Sequence, residues 1–500
     1  MRQHPAWTLT GATALIALVG MLTSAAPGTV SAQSKGKSDG TPSSSGQDRN
    51  SRKPPGPYTR PPDGPRTGSV GTGVIGTGIP VAIGGDATTT RVKPSPPGRN
   101  KPPPRRPASP LAANNRINIP AANENRFVQD EVVLEFAADQ TAQDIAALAA
   151  RHQLAEIESV NLALTNTIFF RGRITDGRPV RVVLAGLAGE GSLRTGQPNY
   201  LYEFVQQQGA ASAPAATPVV AAGVEQPANS DPTLYAAVKL RLSEAHGLAR
   251  GNNILVAVID SGVDIKHPDF QGGIAGSFDA LNSPEPPHTH GTGTAGAIAA
   301  RFRQMGVAPG SQILAIRAFS MSVGFTFAII KGIDHAAAQN ARIINMSFAG
   351  PVDPATLRHL AAAYDKGLVL IAAAGNLGPK APPQYPAAAP NVIAVSATDI
   401  SDRLYVNANR GAYVAISAPG VNVQVPAPGG LYQVTSGTSF AAAYISGVAA
   451  LILERKPSLA PDEVRQLLQS SSKDLGPRGK DDQFGSGRAD AYQAILAVER

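Results

Sequence analysis

Cysteine is absent from this chain of 500 residues. Its absence excludes a disulfide framework, a metal–thiolate site and a cysteine nucleophile. It does not assign the chain to a reducing compartment, because an exported protein with a large core needs no disulfides. Aromatic residues are also scarce, at 5%. Those present cluster with the apolar residues after about position 126, where the chain is long enough for one small and one large core.

The formal net charge of +8 at first suggests a nucleic-acid partner. Residues 33–112 alone contain 13 Lys/Arg and 4 Asp/Glu, so this segment accounts for the whole positive excess. The same segment holds 16 prolines and is otherwise rich in Gly and Ser, a composition that builds no packed core. We therefore expect residues 33–125 to be a disordered basic segment and expect no nucleic-acid partner. Attraction to anionic surfaces is the alternative role for its charge.

The first residues are typical of an export signal. Arg2 precedes an apolar stretch over residues 12–26, and Val30-Ser31-Ala32 supplies small residues for cleavage. The stretch is too short and too broken for a transmembrane helix. The pattern predicts a signal peptide over residues 1–32, with an uncleaved anchor as the alternative and no stable membrane span after its removal. It does not choose between periplasm, cell surface and medium.

A small α+β module is expected over residues 126–206. The predicted strands are Val132–Phe136, Thr167–Arg171 and Tyr200–Phe204. Between them, Thr141 is a candidate cap for a helix over Asp144–His152, and a second short helix is predicted over Val180–Leu187. Residues 207–230 are rich in Ala, Pro and Gln and are predicted to form a linker.

From residue 231 onward, apolar runs alternate with helical patterns. The run Ile254–Ile259 is apolar throughout, as expected for a strand covered on both faces, and four later runs repeat this character. Strands alternating with helices predict a doubly wound, mainly parallel α/β sheet over residues 231–500. In such a sheet, catalytic residues belong at the carboxyl ends of strands.

Four side chains of complementary chemistry occur in this region. Asp260 directly follows the first predicted strand, where a carboxylate can accept a hydrogen bond from an imidazole, although alone it reads equally as a turn cap. His290 is a candidate general base. Its pairing with His288 would suggest a metal site only if further ligands lay nearby, and none do. Asn376 ends an apolar run, so its amide can donate to an oxyanion, although alone it is a turn signal.

The fourth side chain is Ser439, which follows Gly437-Thr438 at the start of the long apolar stretch Phe440–Leu453. A hydroxyl at the start of a buried helix is held rigidly beside backbone N–H groups that can face an anion. The order Asp, His, Ser differs from the order in α/β-hydrolases, and no Gly-x-Ser-x-Gly surrounds Ser439. An esterase on that fold is therefore disfavoured.

These motifs together resemble the subtilase family of subtilisin-like serine peptidases. The resemblance covers residues 231–500 and rests on several separate strings. They are Val258–Val263 with His267-Pro268-Asp269, His290-Gly291-Thr292 with Ala295-Gly296, Gly306–Pro309, Asn345–Phe348, Ala374-Gly375-Asn376, Tyr385-Pro386-Ala387, Ala418-Pro419-Gly420 and Gly437-Thr438-Ser439.

The resemblance implies a catalytic role for each of the four side chains. Ser439 would attack the peptide carbonyl, His290 would take its proton, and Asp260 would orient His290. Asn376 and the backbone N–H of Ser439 would hold the oxyanion. The implied substrate-binding residues are Ser347, Phe348, Ala349, Ala374, Gly375 and Gln384. No metal ligands are predicted and no cofactor is assignable, although the family often binds structural calcium.

The chain departs from the family pattern around its catalytic residues. Gly293 stands where the family commonly has a second histidine. Phe440, Ala443 and Tyr444 stand where it commonly has Met, Pro and His. Gln384, with Phe348 and Ala349, leads us to expect a first specificity pocket that is smaller or more polar than in a broad-specificity subtilisin.

The module at 126–206 resembles the inhibitory propeptide of secreted subtilases, which has a ferredoxin-like fold. A retained accessory domain is the alternative. The expected function is thus a secreted serine endopeptidase that acts on polypeptides through an acyl-enzyme, is blocked by its own propeptide and is self-processed within 207–230. A catalytically silent subtilase-like binding module is the alternative of another class. The sequence does not give the physiological substrate, the oligomeric state or the fate of residues 33–112.

Overall fold

The computed structural model describes residues 116–204 and 235–499. All of them belong to one compact unit that spans residues 101–500. The predicted signal peptide, the predicted linker and all but the last ten residues of the predicted basic segment lie outside the described residues. Within the described ranges, no helix has the length and apolar character needed to cross a membrane.

An α+β module forms the first described part, as predicted. Its elements are β1 (Phe127–Ala137), α1 (Ala142–Arg151), β2 (Leu154–Leu162), β3 (Thr167–Ile174), α2 (Val180–Leu187) and β4 (Leu193–Glu203). The strands are antiparallel in the order β2-β3-β1-β4. This β-α-β-β-α-β succession is the ferredoxin-like arrangement.

Local sequence explains the first helix of this module. Thr141 caps α1, since its side chain accepts a hydrogen bond from the backbone N–H of Asp144. Ile145 and Leu148, three residues apart, are buried against the sheet. The prediction missed β2, in which only Leu154 and Leu162, at its two ends, are buried.

The second part contains the predicted parallel sheet. Its seven strands, all parallel to their neighbours, run in the order β13-β12-β11-β10-β5-β7-β6. The strands of the second part are β5 (Leu255–Asp260), β6 (Ile274–Asp279), β7 (Gln312–Arg317), β8 (Phe319–Ser320), β9 (Val323–Phe325), β10 (Ile343–Met346), β11 (Val369–Ala373), β12 (Val392–Thr398), β13 (Val414–Pro419), β14 (Val423–Ala427) and β15 (Leu431–Thr435). Its helices are α3 (Tyr235–Lys239), α4 (Leu242–Ala245), α5 (Thr289–Ala299), α6 (Thr326–Ala338), α7 (Pro354–Asp365), α8 (Thr438–Arg455), α9 (Pro461–Ser470) and α10 (Ala491–Ala497).

The core explains why the strands are apolar throughout. Helices cover both faces of the parallel sheet, and the residues of β10 and β11 are all buried. Helix α8 crosses one face and is buried from Thr438 to Leu453. The buried helix predicted from this apolar stretch is therefore confirmed.

The two parts share one sheet. Strand β4 of the first module pairs antiparallel with β9 of the second, so the small sheet continues as β2-β3-β1-β4-β9-β8. Beyond it, Glu203 and Ala349 exchange two backbone hydrogen bonds of 2.9 and 3.0 Å. The last residues of the first module thus lie between two strand segments of the second.

Candidate active site

Asp260 and His290 form a buried pair. Asp260 ends β5, and His290 lies in the first turn of α5, so both stand at the carboxyl edge of the parallel sheet. Asp260 Oδ1 lies 2.8 Å from His290 Nδ1. Because a carboxylate only accepts, the proton of this bond is assigned to Nδ1, which leaves Nε2 of a neutral ring as a proton acceptor.

Ser439 and Asn376 line the same cavity as His290, a space of about 40 Å³. Ser439 is the second residue of α8, and its hydroxyl donates to the carbonyl oxygen of Ser347 at 3.2 Å. Asn376 Oδ1 accepts from the backbone N–H and the hydroxyl of Thr438, at 3.0 and 2.8 Å. These bonds fix the amide plane next to the serine. The structure therefore brings together all four predicted catalytic side chains.

The predicted substrate-binding segment Ser347–Ala349 contacts the first module. Ala349 pairs with Glu203, as described above. The ring of Phe348 is fully buried and meets the ring of Tyr202 edge-on, with centroids 5.7 Å apart. Phe348 is thus turned toward the module, away from the cavity that contains Ser439. It therefore does not narrow that cavity.

Phe204, the last described residue of the first module, reaches into the site. Its ring stacks on the imidazole of His290, with centroids 4.0 Å apart and planes at 18°. It also stacks on Phe319 at 4.6 Å. Its backbone N–H donates to the carbonyl oxygen of Ser322. An extended strand end therefore covers the candidate base.

The remaining predicted substrate-binding residues are held by hydrogen bonds between side chains and backbone groups. The Ala374 carbonyl accepts from the hydroxyl of Tyr413, and Gly375 N–H donates to the hydroxyl of Thr438. Gln384 is buried, and its amide donates to the carbonyl of Pro382 at 3.0 Å. Gln384 does not line the cavity that contains Ser439.

The departures at Gly293 and Phe440 lie next to each other. A side chain at Gly293 would begin 3.1 Å from the ring of Phe440 and 2.8 Å from Val425. The larger ring at position 440 therefore occupies space that a side chain at 293 would need. Phe440 also lies 5.7 Å from the ring of His290, centroid to centroid.

Three polar residues around the pair were missed by the sequence analysis. The hydroxyl of Ser261 donates to Asp260 Oδ1 at 3.2 Å, and that of Thr294 lies 3.2 Å from Asp260 Oδ2. His288, considered above only as a possible metal ligand, caps α5. A signal for Thr294 was present, because a residue four positions after His290 lies on the same face of a helix.

The described residues form no carboxylate cluster that could bind calcium. Across residues 116–204 and 235–499, no group of three or more His, Asp or Glu side chains is placed to hold a metal ion. The buried carboxylate of Asp269 is bonded to protein donors, namely the backbone N–H groups of Arg303 and Gln304 and the hydroxyl of Tyr432.

Comparisons with known proteins agree with this geometry. The model of the subtilase family matches residues 251–487. Thermitase of Thermoactinomyces vulgaris is 33% identical over 270 residues, which are 52% of this chain and 95% of thermitase. Subtilisin of Bacillus pumilus is 37% identical over 236 residues, 45% of this chain and 86% of that protein.

The chain belongs to the subtilase family. Subtilases are serine proteases, and this subtilase is similar to subtilisin E of Bacillus subtilis (strain 168), at 37% identity over 236 residues, 45% of this chain and 62% of subtilisin E. Its fold is also that of fervidolysin from Fervidobacterium pennivorans, described as a keratinolytic enzyme related to subtilisin. The TM-score is 0.63 at 23% identity, covering 76% of this chain and 63% of that one.

Proposed function

We propose that this subtilase is a serine endopeptidase in which Asp260, His290 and Ser439 act as the catalytic triad. The 2.8 Å contact between Asp260 Oδ1 and His290 Nδ1, at the wall of a cavity that also contains Ser439, carries the proposal. The buried carboxylate holds the ring in the tautomer whose Nε2 can accept a proton and stabilises the imidazolium that forms.

The proposed first step moves the proton of Ser439. The hydroxyl, which here donates to the carbonyl of Ser347, would donate instead to Nε2 of His290. Oγ then attacks the peptide carbonyl while Nε2 takes the proton, and His290 returns it to the departing amine to leave an acyl-enzyme. Asn376 and the backbone N–H of Ser439 donate to the oxyanion. Loss of one such donor costs about 10²–10³ in rate.

A fluorophosphonate probe tests this proposal directly. The matured chain is expected to be labelled at Ser439 and Ser439→Ala is expected to be unlabelled, while Ser446→Ala, which removes a buried hydroxyl from the same helix, should keep the label. A chain that matures yet takes no label would favour the catalytically silent binding module instead. Peptide hydrolysis by the wild-type protein should be lost in proportion to labelling, because the bound probe blocks the Ser439 hydroxyl.

We further propose that residues 126–206 are an intramolecular propeptide. Three contacts support the proposal: the pairing of β4 with β9, the exchange between Glu203 and Ala349, and the ring of Phe204 on His290. Together they occupy the edge that an extended peptide substrate would need. Because Phe204 already touches the candidate base, we place the cleaved bond within the first few residues after it, at or just before the predicted linker 207–230.

Self-processing predicts dependence on the serine. The wild-type chain should yield a mature form whose N-terminus, read by mass spectrometry, follows Phe204 by a few residues. Ser439→Ala produced in a protease-free host should stay uncleaved. If the alanine variant matures to the same size, processing is not autocatalytic, and a retained accessory domain becomes the better interpretation of 126–206.

We also propose that the chain is exported, on the basis of its N-terminal pattern. Intact-mass measurement of the Ser439→Ala protein from each cell fraction tests this. Loss of about residues 1–32 in a periplasmic, surface or medium fraction is expected. Material that retains these residues in a membrane fraction would instead support an uncleaved anchor.

A further inference from the structure

His288 joins the two strand-end segments that carry the aspartate and the histidine. Its backbone N–H donates to the carbonyl oxygen of Gly262 at 2.8 Å. Its ring Nδ1 lies 3.2 Å from the backbone nitrogen of His290 and 3.2 Å from the hydroxyl oxygen of Ser261. A single side chain thus caps α5 and touches the loop that follows Asp260.

Ser261 completes this connection. Its Oγ lies 3.2 Å from Asp260 Oδ1, and it accepts the backbone N–H of Gly291 at 3.0 Å. Asp260 Oδ1 is the same oxygen that accepts the Nδ1 proton of His290. Ser261 therefore links the catalytic carboxylate to the first turn of α5, next to the His288 ring.

The protonation state of His288 decides which of these hydrogen bonds can form. In neutral His288, an unprotonated Nδ1 can accept the N–H of His290, while Ser261 donates its only hydroxyl proton to Asp260. In the imidazolium form both ring nitrogens carry protons, so Nδ1 can only donate, and the N–H of His290 loses its acceptor. The cap on the catalytic histidine therefore exists only while His288 is neutral.

We propose that His288 is a positioning residue of the catalytic pair, which holds the Asp260–His290 contact in place as a neutral imidazole and loosens it when protonated. This inference rests on the proposed triad. The charged groups that face the ring are Asp260, Glu285 and, once protonated, His290. In this structure, in which Phe204 lies over the ring, partial burial and the nearby His290 lower the pKa of His288, against the two carboxylates.

Two variants distinguish the loss of the helix cap from the loss of side-chain volume at position 288. His288→Asn keeps a side-chain acceptor for the N–H of His290 but does not titrate, whereas His288→Ala has no acceptor. Removing a helix N-cap corresponds to about a 2- to 30-fold change in an equilibrium or rate constant. We expect His288→Ala to lose activity in this range through kcat with little change in KM, and His288→Asn to recover it at pH 8.5.

The pH profile provides the readout that a merely structural role would not change. We expect kcat/KM of the matured wild-type protein to fall toward acid pH by about 2- to 30-fold more than that of His288→Asn, because protonated His288 no longer caps His290. Equal profiles in all three proteins, a larger fall in His288→Asn than in the wild type, or failure of asparagine to recover kcat would each overturn the proposal.

The fluorophosphonate labelling rate keeps this test apart from that of the triad. If the wild-type protein is not labelled, the proposed function itself fails. If the wild type is labelled and His288→Ala is labelled at the same rate at every pH, only the role of His288 fails. Thermal unfolding of each variant in the Ser439→Ala background identifies any rate loss that comes from misfolding.

Discussion

Tyr202 provides a quantitative test of how the first module is held on the protease. Its hydroxyl donates to Asp353 Oδ2 at 3.0 Å, across the boundary between the two parts, and both residues are fully buried. Asp353 also accepts from Gln197 of the first module at 2.6 Å and from Thr326 and Thr356 of the second. We expect Tyr202→Phe to weaken docking of the cleaved module.

The magnitude follows from the acceptor. A hydrogen bond to a charged group contributes about 1.5–3 kcal/mol, which corresponds to about 10- to 150-fold in a binding constant. In Tyr202→Phe, both carboxylate oxygens of Asp353 keep other donors. The loss is therefore expected in the lower half of the roughly 10- to 150-fold range. Differences between related complexes appear mainly in the dissociation rate. The cleaved module should therefore leave about ten times faster.

The lag before activity measures this rate. The self-processed chain is diluted into a fluorogenic peptide, and the appearance of peptidase activity reports release of the module. Tyr200→Phe is the matched control, because the Tyr200 hydroxyl accepts from Asn118, on the N-terminal side of the first module. A lag in Tyr202→Phe equal to that of the wild type, or an equal shortening in Tyr200→Phe, would refute the assigned role of the Asp353 contact.

Three further predictions concern packing and pH. Gly293→Ala should lower the free energy of unfolding by about 1–3 kcal/mol in thermal or denaturant unfolding, because the added carbon meets Val425 and Phe440; paired with Phe440→Ala, the loss should shrink only in part, since the closer contact is with Val425. Gly375→Ala should cost about 1–3 kcal/mol in backbone strain alone, since φ is +112° there, and more from contact with Asn409. Burial lowers the pKa of His359, so the unfolded chain binds its proton more readily; stability should fall as pH drops through about 6.5, and His359→Gln should flatten that fall in acid unfolding curves.

Much of the second part could be predicted from the sequence because its signals are local. The apolar run before Asp260 has the composition of a strand buried on both faces, and β5 is such a strand. The helix caps are also local: Asp353 precedes the proline that begins α7 and accepts the N–H of Thr356. Where residues nearby in the chain determine a residue's conformation, the sequence pattern is sufficient to predict it.

The missed features depend on partners far away in the chain. Phe204 belongs to a predicted strand, but its ring reaches His290 only because β4 pairs with β9, more than a hundred residues later. The contact of the His288 ring with the Ser261 hydroxyl joins residues 27 positions apart. Strands β14 and β15 form a separate two-stranded sheet, and no residue of β15 is fully buried, so its sequence carries little apolar signal.

The same backbone edges that hold the first module would be offered to a substrate after its release. Tyr202, Glu203 and Phe204 alternate along one extended strand, so successive side chains point to opposite sides. Tyr202 meets the buried ring of Phe348, and Phe204 meets His290 and Phe319, while the bonds between Glu203 and Ala349 involve backbone only.

Backbone pairing of this kind supplies affinity for any extended peptide, and the sites for alternate side chains supply the selectivity. The aromatic contacts at Tyr202 and Phe204 lie before the bond proposed for processing. Selectivity on that side would therefore depend on two aromatic-lined positions as well as on the first pocket near Gln384. The Gln384 amide already donates to the carbonyl of Pro382, so a substrate side chain in that pocket would meet a partly satisfied amide.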